Sequence, residues 1–134
     1  MILCDSGPLA AIIDRHHPER HRCMAALSLV NVDLLSTWPC ITEAMNLLMT
    51  TGGPGDVQLL WSLIDSSTIS IFDLNSVDRA RMRQLMWQFT QHRMELADSS
   101  LIAIAERTGL STALTLDPNF QVYSTVGGIL TVIP

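Results

Sequence analysis

The sequence contains no lysine, since all eight of its basic residues are arginines. This absence excludes several classes of protein. A P-loop needs a lysine on the phosphates of its nucleotide, and Schiff-base enzymes need a lysine amine. Phosphoaspartate sites of the receiver and haloacid-dehalogenase kinds also use acids at strand ends, but they normally place a lysine beside the aspartate. None of these chemistries is available to this chain.

Charge of either sign is scarce. Charged residues make up 16% of the chain, below the roughly 25% of an average soluble domain, whereas hydrophobic residues make up 48%. The hydrophobic share excludes a disordered chain and indicates either a large core or an apolar surface that meets a partner. With 13 acids against 8 bases, the net charge is −5. That balance argues against binding nucleic acid by bulk charge, although it allows a protein that brings phosphates to bound cations.

Long apolar runs and cysteine pairs are also missing. No apolar run reaches the roughly 18–20 residues that span a bilayer, so we expect no membrane association. The first five residues contain no basic segment and end in a carboxylate, which is not typical of a signal peptide. Three cysteines, odd in number and widely spaced, predict free thiols in a reducing cytoplasm. The length of 134 residues predicts a single domain over residues 1–134.

The pattern along the chain alternates short apolar strands with amphipathic helices. Strands are predicted over residues 2–4, 33–37, 68–72, 111–116 and 129–133, and helices over residues 8–13, 18–30, 40–49, 55–66, 76–92 and 96–108. Strands separated by helices form βαβ units, in which the sheet is covered on both faces. We therefore predict an α/β fold, a three-layer α/β/α sandwich with a mostly parallel sheet of about 4–5 strands. Ligands of such sheets bind beyond the carboxyl ends of the strands.

Most of the acids need no special explanation. Eight of them fall in turns, at helix starts or on polar faces and are predicted to be solvated: Asp14, Glu19, Asp33, Asp56, Asp65, Asp73, Asp78 and Glu106. Four others do not fit that pattern. Asp5 and Asp117 each follow a predicted buried strand directly and should emerge at the carboxyl edge of the sheet. Glu43 shares a helical face with Leu47, which predicts a carboxylate near the core, and Asp98 lies on the flank of an apolar stripe.

A partly buried carboxylate is costly unless it is paired or bound to a metal. Each acid could instead find its own arginine or backbone partner, and Asp5 and Asp98 could be helix N-caps. With eight arginines and no lysine, however, the chain has few cations for such pairing. Oxygen ligands gathered in one place suit Mg²⁺ or Mn²⁺, which relieves the repulsion between them. We therefore predict one Mg²⁺ or Mn²⁺ site, made by Asp5, Glu43, Asp98 and Asp117.

Four segments resemble the motifs of a known family. They are residues 5–11 (DSGPLAA), 42–44 (TEA), 95–107 (ELADSSLIAIAER) and 114–120 (LTLDPNF). Their order and spacing resemble those of the PIN domain family, most of all its branch of VapC-type toxins, over nearly the whole chain. The resemblance implies an α/β/α fold and a ribonuclease that depends on Mg²⁺ or Mn²⁺. It also implies a homodimer that a small cognate antitoxin silences.

The resemblance gives the family's catalytic, metal-binding roles to the same four acids: Asp5, Glu43, Asp98 and Asp117. The first three would hold the main ion, and the last would complete the site or hold a second ion. The implied reaction is hydrolysis of RNA phosphodiester bonds, which leaves 5′-phosphate and 3′-hydroxyl ends. Glu95 stands where close relatives often carry aspartate, so its role stays open, whereas Ser6 keeps the hydroxyl of the usual threonine. The alternative is a PIN-like module that binds RNA or a protein partner without cutting.

The other chemically suggestive residues are assigned to structure. His16, His17 and His21 suggest zinc, but they lie among charged residues, and no cysteine or acid completes a tetrahedral set at a known spacing. Tryptophans and an apolar stripe are predicted to pack in the core or at an interface, and some could form a dimer or antitoxin groove: Trp38, Trp61, Trp87, Met82, Leu85, Met86 and Phe89.

Overall fold

The computed structural model describes residues 1–125 and 128–134, and the side chains of residues 124, 125, 128 and 129 lie outside that description. Seven strands are present there: β1 (Ile2–Cys4), β2 (Leu34–Ser36), β3 (Ile69–Ile71), β4 (Thr112–Leu114), β5 (Ser124–Thr125), β6 (Gly128–Ile129) and β7 (Thr131–Ile133). Five of them form one sheet in the order β3-β2-β1-β4-β7, and all pairings in it are parallel. Strands β5 and β6 form a separate antiparallel pair.

Six α-helices connect the strands. They are α1 (Ser6–Ile13), α2 (Arg20–Val30), α3 (Trp38–Thr51), α4 (Asp56–Asp65), α5 (Ser76–Gln88) and α6 (Leu96–Thr108). Two short 3₁₀ turns, Thr90–His92 and Pro118–Gln121, follow α5 and β4. The predicted α/β sandwich with a parallel sheet is therefore confirmed. Among these residues, no helix is both long and apolar enough to cross a membrane.

Alternating side chains of the sheet strands divide the core into two clusters, one on each face. Leu3, Leu35 and Ala113 face the cluster built by α5 and α6, where Leu85 and Leu101 are fully buried. The neighbouring strand residues face the other cluster, which α1, α3 and α4 build around buried aliphatic side chains: Leu9, Ile13, Ile41, Leu48 and Leu60. Both faces of the sheet are covered, as the continuous apolar strands predicted.

Helix boundaries differ from the predicted ones where caps act. Helix α1 begins at Ser6, two residues early, because the Asp5 carboxylate accepts the Ser6 N–H and serves as the N-cap. Helix α3 begins at Trp38, because the Thr37 hydroxyl accepts the Cys40 N–H. The helix predicted over 76–92 is α-helical only to Gln88 and continues as a 3₁₀ turn.

The apolar stripe of α5 is confirmed as packing, since Met82, Leu85 and Phe89 are buried and Met86 is half-buried. The prediction for the tryptophans is wrong as regards the core. Trp38, Trp61 and Trp87 are all substantially exposed, the last by 83%, and the first two contact each other with ring centroids 6.2 Å apart.

The strand order places a crevice at a defined point. From β1 the chain winds outward through β2 to β3, and it then returns to the other side of β1 with β4 and β7. In a doubly wound sheet, this reversal leaves an opening beyond the carboxyl ends of the two central strands. Side chains that directly follow β1 and β4 therefore meet at one edge of the sheet.

Candidate active site

A cleft of about 310 Å³ lies at this reversal point. Its lining consists of Asp5, Ser6, Gly7, Glu43, Leu47, Glu95, Asp98, Leu116 and Asp117. All four predicted site acids are therefore brought together. Asp5 and Asp117 follow β1 and β4, Glu43 and Asp98 lie on α3 and α6, and Glu95 joins them. The pKa is raised at three of these five carboxyl groups: Asp5, Glu95 and Asp98.

Asp5 is held on both of its carboxylate oxygens. Its Oδ1 accepts the Ser6 N–H at 2.7 Å, and its Oδ2 accepts the Thr115 hydroxyl at 2.8 Å. The side chain is buried, and this burial raises the pKa of Asp5, with Glu43 and Asp117 raising it further. The two hydrogen bonds oppose this shift because they stabilise the ionised form.

Glu43 projects from α3 into the cleft. The Ser6 hydroxyl donates to its Oε2 at 2.7 Å, which links the start of α1 to the carboxylate on α3. The shared face with Leu47 predicted a Glu43 carboxylate near the core. Glu43 is half-buried, but this face does not meet the core, since Leu47 is 41% exposed. Both side chains line the cleft, whereas the core face of α3 consists of Ile41, Ala44 and Leu48.

Asp98 and Glu95 lie at the start of α6. The Asp98 Oδ2 accepts the Glu95 N–H at 3.0 Å, so Asp98 satisfies a backbone donor at the helix N-terminus. Burial raises the pKa of Asp98 to about 6. A hydrogen bond between the carboxyl groups of Glu95 and Glu43, together with the charge of Glu43, raises the pKa of Glu95 to about 7. The role of Glu95 stays open, although its carboxyl group lines the cleft beside Glu43, a predicted ligand.

Asp117 is placed by the 3₁₀ turn after β4. Its Oδ1 accepts the Asn119 N–H at 2.9 Å and caps that turn, while its own N–H donates to the Thr115 hydroxyl at 3.0 Å. The side chain is partly buried. The segment that carries Asp117 into the cleft is therefore short and held by two hydrogen bonds.

The cleft acids have no cationic side chain among them. In residues 1–125 and 128–134, the ion pairs employ Arg22, Arg81 and Arg107, each with an acid outside the cleft. As the side chains are placed, no three histidine, cysteine or acidic residues of this part of the chain come close enough to ligate one ion. The donor set is nevertheless the carboxylate oxygen set that Mg²⁺ and Mn²⁺ prefer. The cleft fits a hard divalent cation by its chemistry, and side-chain rotations must complete the ligand geometry.

Three acids that were predicted to be solvated are instead buried, alone or in an ion pair. Asp78 is 2% exposed and contacts Arg107, while Glu106 accepts two hydrogen bonds from Arg81 at 2.7 and 2.8 Å. Asp14 is also buried, and it accepts the His16 N–H. These acids serve the structure and lie outside the cleft. A sequence signal existed for one of them, since Asn75 and Asp78 have the spacing of a capping box.

Two hydroxyl residues of the cleft were not assigned a role from the sequence. Ser6 bridges Asp5 and Glu43 by donating its N–H to the first and its hydroxyl to the second, and the Thr115 hydroxyl bridges Asp5 and Asp117. Their positions in the sequence could have indicated these roles, because each hydroxyl lies within two residues of an aspartate that follows a predicted strand. His16, His17 and His21 lie, as predicted, on an exposed or half-exposed stretch and take no part in the cleft.

Comparison with known proteins gives a family match and two informative structures. The family model of the PIN domain matches residues 2–125. The structure of VapC20 from Mycobacterium tuberculosis, a toxin that cleaves the sarcin-ricin loop, is similar with a TM-score of 0.84 at 13% identity, over 100% of both chains. The structure of FitAcB from Neisseria gonorrhoeae is similar with a TM-score of 0.59 at 18% identity, over 100% of this chain and 97% of that one. A comparison with curated proteins finds no match.

Proposed function

This chain belongs to the PIN domain family, and from its cleft we propose that it is a divalent-metal-dependent endoribonuclease, acting as the toxin of a toxin–antitoxin pair. The observation that supports the proposal most is the convergence of five carboxyl groups, with no arginine among them, at the reversal point of the sheet. The similarity to a toxin that cleaves the sarcin-ricin loop supports RNA as the substrate class.

In this proposal, residues of the chain bind the cation and orient its ligands. Asp5, Asp98 and Glu43 hold the principal Mg²⁺ or Mn²⁺, and Asp117 completes the site or holds a second ion. When bound, such an ion supplies Lewis-acid polarisation of the phosphoryl oxygen and a water of lowered pKa. Ser6 orients Glu43 through its 2.7 Å hydrogen bond. Glu95 lies beside Glu43, whose hydrogen bond and charge raise the pKa of Glu95 to about 7.

Arginines beside the cleft are suited to hold the RNA backbone. Arg79 and Arg83 have no carboxylate partner in the described part of the chain and line an apolar groove with Trp87 on α5. This groove shares Pro39 and Leu96 with a hollow that Glu43 and Glu95 also line, so groove and cleft are continuous. We propose that these two guanidinium groups contact phosphates next to the scissile bond, since arginine matches phosphate geometry.

Exposed apolar side chains support protein partners. Leu29 is 87% exposed, Met49 73% and Leu96 54%, in a chain whose charged share is only 16%. Contiguous apolar surface is typical of interfaces, and Leu96 belongs to such a surface, the groove on α5. We propose that a second copy of the chain and a small cognate antitoxin cover it, and that the protein acts in the cytoplasm. The oligomeric state is measured by light scattering, alone and with the antitoxin coexpressed.

Cleavage of total RNA by the purified protein tests the proposal. The reaction is run with Mn²⁺, with Mg²⁺ and with EDTA, and the fragment ends are sequenced. We expect discrete, metal-dependent cuts with 5′-phosphate ends, and loss of cutting in Asp5→Asn. The exposed Asp65 on α4 offers the matched control, because Asp65→Asn removes an equal charge outside the cleft.

A second candidate function is a PIN-like module that binds RNA or protein without cutting it. The observation in its favour is that the cleft acids are not arranged around a single point in the part of the chain described. Folded, antitoxin-free protein that cuts none of several RNAs in either metal, yet retains them on a filter, would establish this alternative and contradict the nuclease.

A further inference from the structure

Thr115 connects the ends of the two central strands. It directly follows β4, is almost fully buried, and its N–H donates to the Ile133 carbonyl on β7 at 2.9 Å. Its hydroxyl donates to the Asp5 Oδ2 at 2.8 Å and accepts the Asp117 N–H at 3.0 Å. One hydroxyl thus contacts both strand-end acids of the cleft, and its backbone is fixed to the sheet.

These contacts determine how Asp5 faces the cleft. Its Oδ1 is held by the Ser6 N–H and its Oδ2 by Thr115, so the carboxylate plane has no free rotation. Each carboxylate oxygen has two lone pairs. Thr115 uses one lone pair of Oδ2, and the other stays available to a cation, whereas Oδ1 is also approached by the Ser6 hydroxyl at 3.4 Å and the Cys40 thiol at 3.9 Å.

We infer that Thr115 is a positioning residue that sets Asp5 and Asp117 in fixed relation, so that both can serve one cation site. This inference rests on the proposed metal-binding function of the cleft. Valine has nearly the shape of threonine but no hydroxyl. In Thr115→Val a buried oxygen of Asp5 loses its donor, and the Asp117 N–H loses its acceptor. Loss of such a partner outside the ligand set typically weakens metal affinity by roughly 10–100-fold.

The test is calorimetric titration of Mn²⁺ into metal-free full-length protein. We expect Thr115→Val to weaken binding by roughly 10–100-fold and Thr115→Ser, which keeps the hydroxyl, to retain wild-type affinity. Thr108 provides a matched control, because its hydroxyl donates to the Ile104 carbonyl at 2.6 Å and accepts the Leu110 N–H at 3.3 Å, at the other end of α6. Thr108→Val should bind Mn²⁺ like the wild type.

RNA cleavage at increasing Mn²⁺ gives an independent readout. If Thr115 acts by positioning the ligands, excess Mn²⁺ should restore cutting by Thr115→Val, whereas a general loss of folded protein would not respond in this way. Should the valine variants not fold, Thr115→Ala and Thr108→Ala make the same comparison. Wild-type affinity in Thr115→Val would overturn the inference and leave the nuclease intact. Absence of both Mn²⁺ binding and cutting in the wild type would overturn the proposed function, and this role of Thr115 with it.

Discussion

Two groups of buried carboxylates can be compared in this molecule, those in the cleft beyond β1 and β4 and those between helices α5 and α6. In the second region each acid has an arginine: Asp78 contacts Arg107, and Glu106 accepts two hydrogen bonds from Arg81. The guanidinium of Arg107 also lies 4.7 Å above the ring of Phe72. In the cleft the acids face one another without an arginine, in the part of the chain described.

The difference separates acids that stabilise the fold from acids that would bind a cation in the proposed site. The hydrogen bonds to Glu106 raise the pKa of Arg81, because they stabilise the charged guanidinium. In the cleft, burial and repulsion raise the pKa of Asp5, Asp98 and Glu95. Raised carboxyl pKa values mean that the folded chain resists these charges. A bound divalent cation would reverse that penalty.

The largest expected effect is on cleavage by Asp98→Asn. Removal of a ligand should lower the rate by more than about 100-fold, since even partners outside the ligand set change activity by 10–100-fold. Asparagine can still accept the Glu95 N–H, so the metal-free variant should resist urea at least as well as the wild type. An active Asp98→Asn protein, measured on the RNA that the wild type cuts, would remove Asp98 from the site.

The next effect is the pH dependence of stability in EDTA. Asp98 and Glu95 have folded pKa values of about 6 and 7, above the ordinary 3.8 and 4.5. The stability that they contribute is complete below about pH 4 and is lost as the pH rises through 6 and 7. Asp98 should account for about 2–3 kcal/mol, and the exposed Glu95 for less because water screens it.

Urea denaturation at pH 5, 6, 7 and 8 measures this loss. The histidines also titrate in this range, so the matched comparison is the Asp98→Asn, Glu95→Gln double variant, in which the decline should flatten. Saturating Mn²⁺ should restore the wild-type protein at pH 8. A decline of equal size in the double variant would mean that the cleft acids are not its source.

Breaking the α5–α6 region should give the opposite result from breaking the cleft. Asp78→Asn removes the negative charge that pairs with Arg107 and should lower the free energy of unfolding by about 2 kcal/mol, less than a fully buried pair would lose because Arg107 is partly exposed. Cleavage per folded molecule should not change. Urea denaturation and the RNA assay measure the two quantities. A loss of cutting without a loss of stability would contradict the division between a structural and a catalytic region.

The smallest effect is expected for Glu95→Gln. Glutamine keeps a hydrogen bond to Glu43 but cannot add charge to the cleft, so Mn²⁺ affinity should change by less than about tenfold, the lower end of effects outside the ligand set. Calorimetry on this variant beside Asp98→Asn ranks the two acids of α6. A loss in Glu95→Gln as large as that in Asp98→Asn would make Glu95 a ligand in its own right.

Position along the chain was enough to predict the cleft but not the ion pairs. Asp5 and Asp117 directly follow predicted strands, and parallel strands bring their carboxyl ends to one edge, so the sequence order implied that these acids meet. The Asp78–Arg107 and Glu106–Arg81 pairs depend on how α5 packs on α6, across 29 and 25 residues of chain. No local pattern encodes that packing. The capping-box spacing of Asn75 and Asp78 indicated only the start of a helix.

The hydrogen bond between Glu43 and Glu95 likewise depends on the contact between α3 and α6. Helical periodicity placed Glu43 on the same face as Leu47, which was right, but it assigned that face to the core. The face borders the cleft instead, because the reversal of the sheet leaves it uncovered. Periodicity shows which residues share a side of a helix, whereas the tertiary fold decides what that side meets.

The most direct test of the central claim is calorimetric titration of Mn²⁺ at neutral pH into three metal-free proteins: wild type, Asp98→Asn and Asp78→Asn. If the uncompensated cleft acids form a cation site, the wild type and Asp78→Asn bind Mn²⁺ alike, and Asp98→Asn loses the binding. No binding to the folded wild type, or equal binding to Asp98→Asn, would contradict the assignment of the cleft.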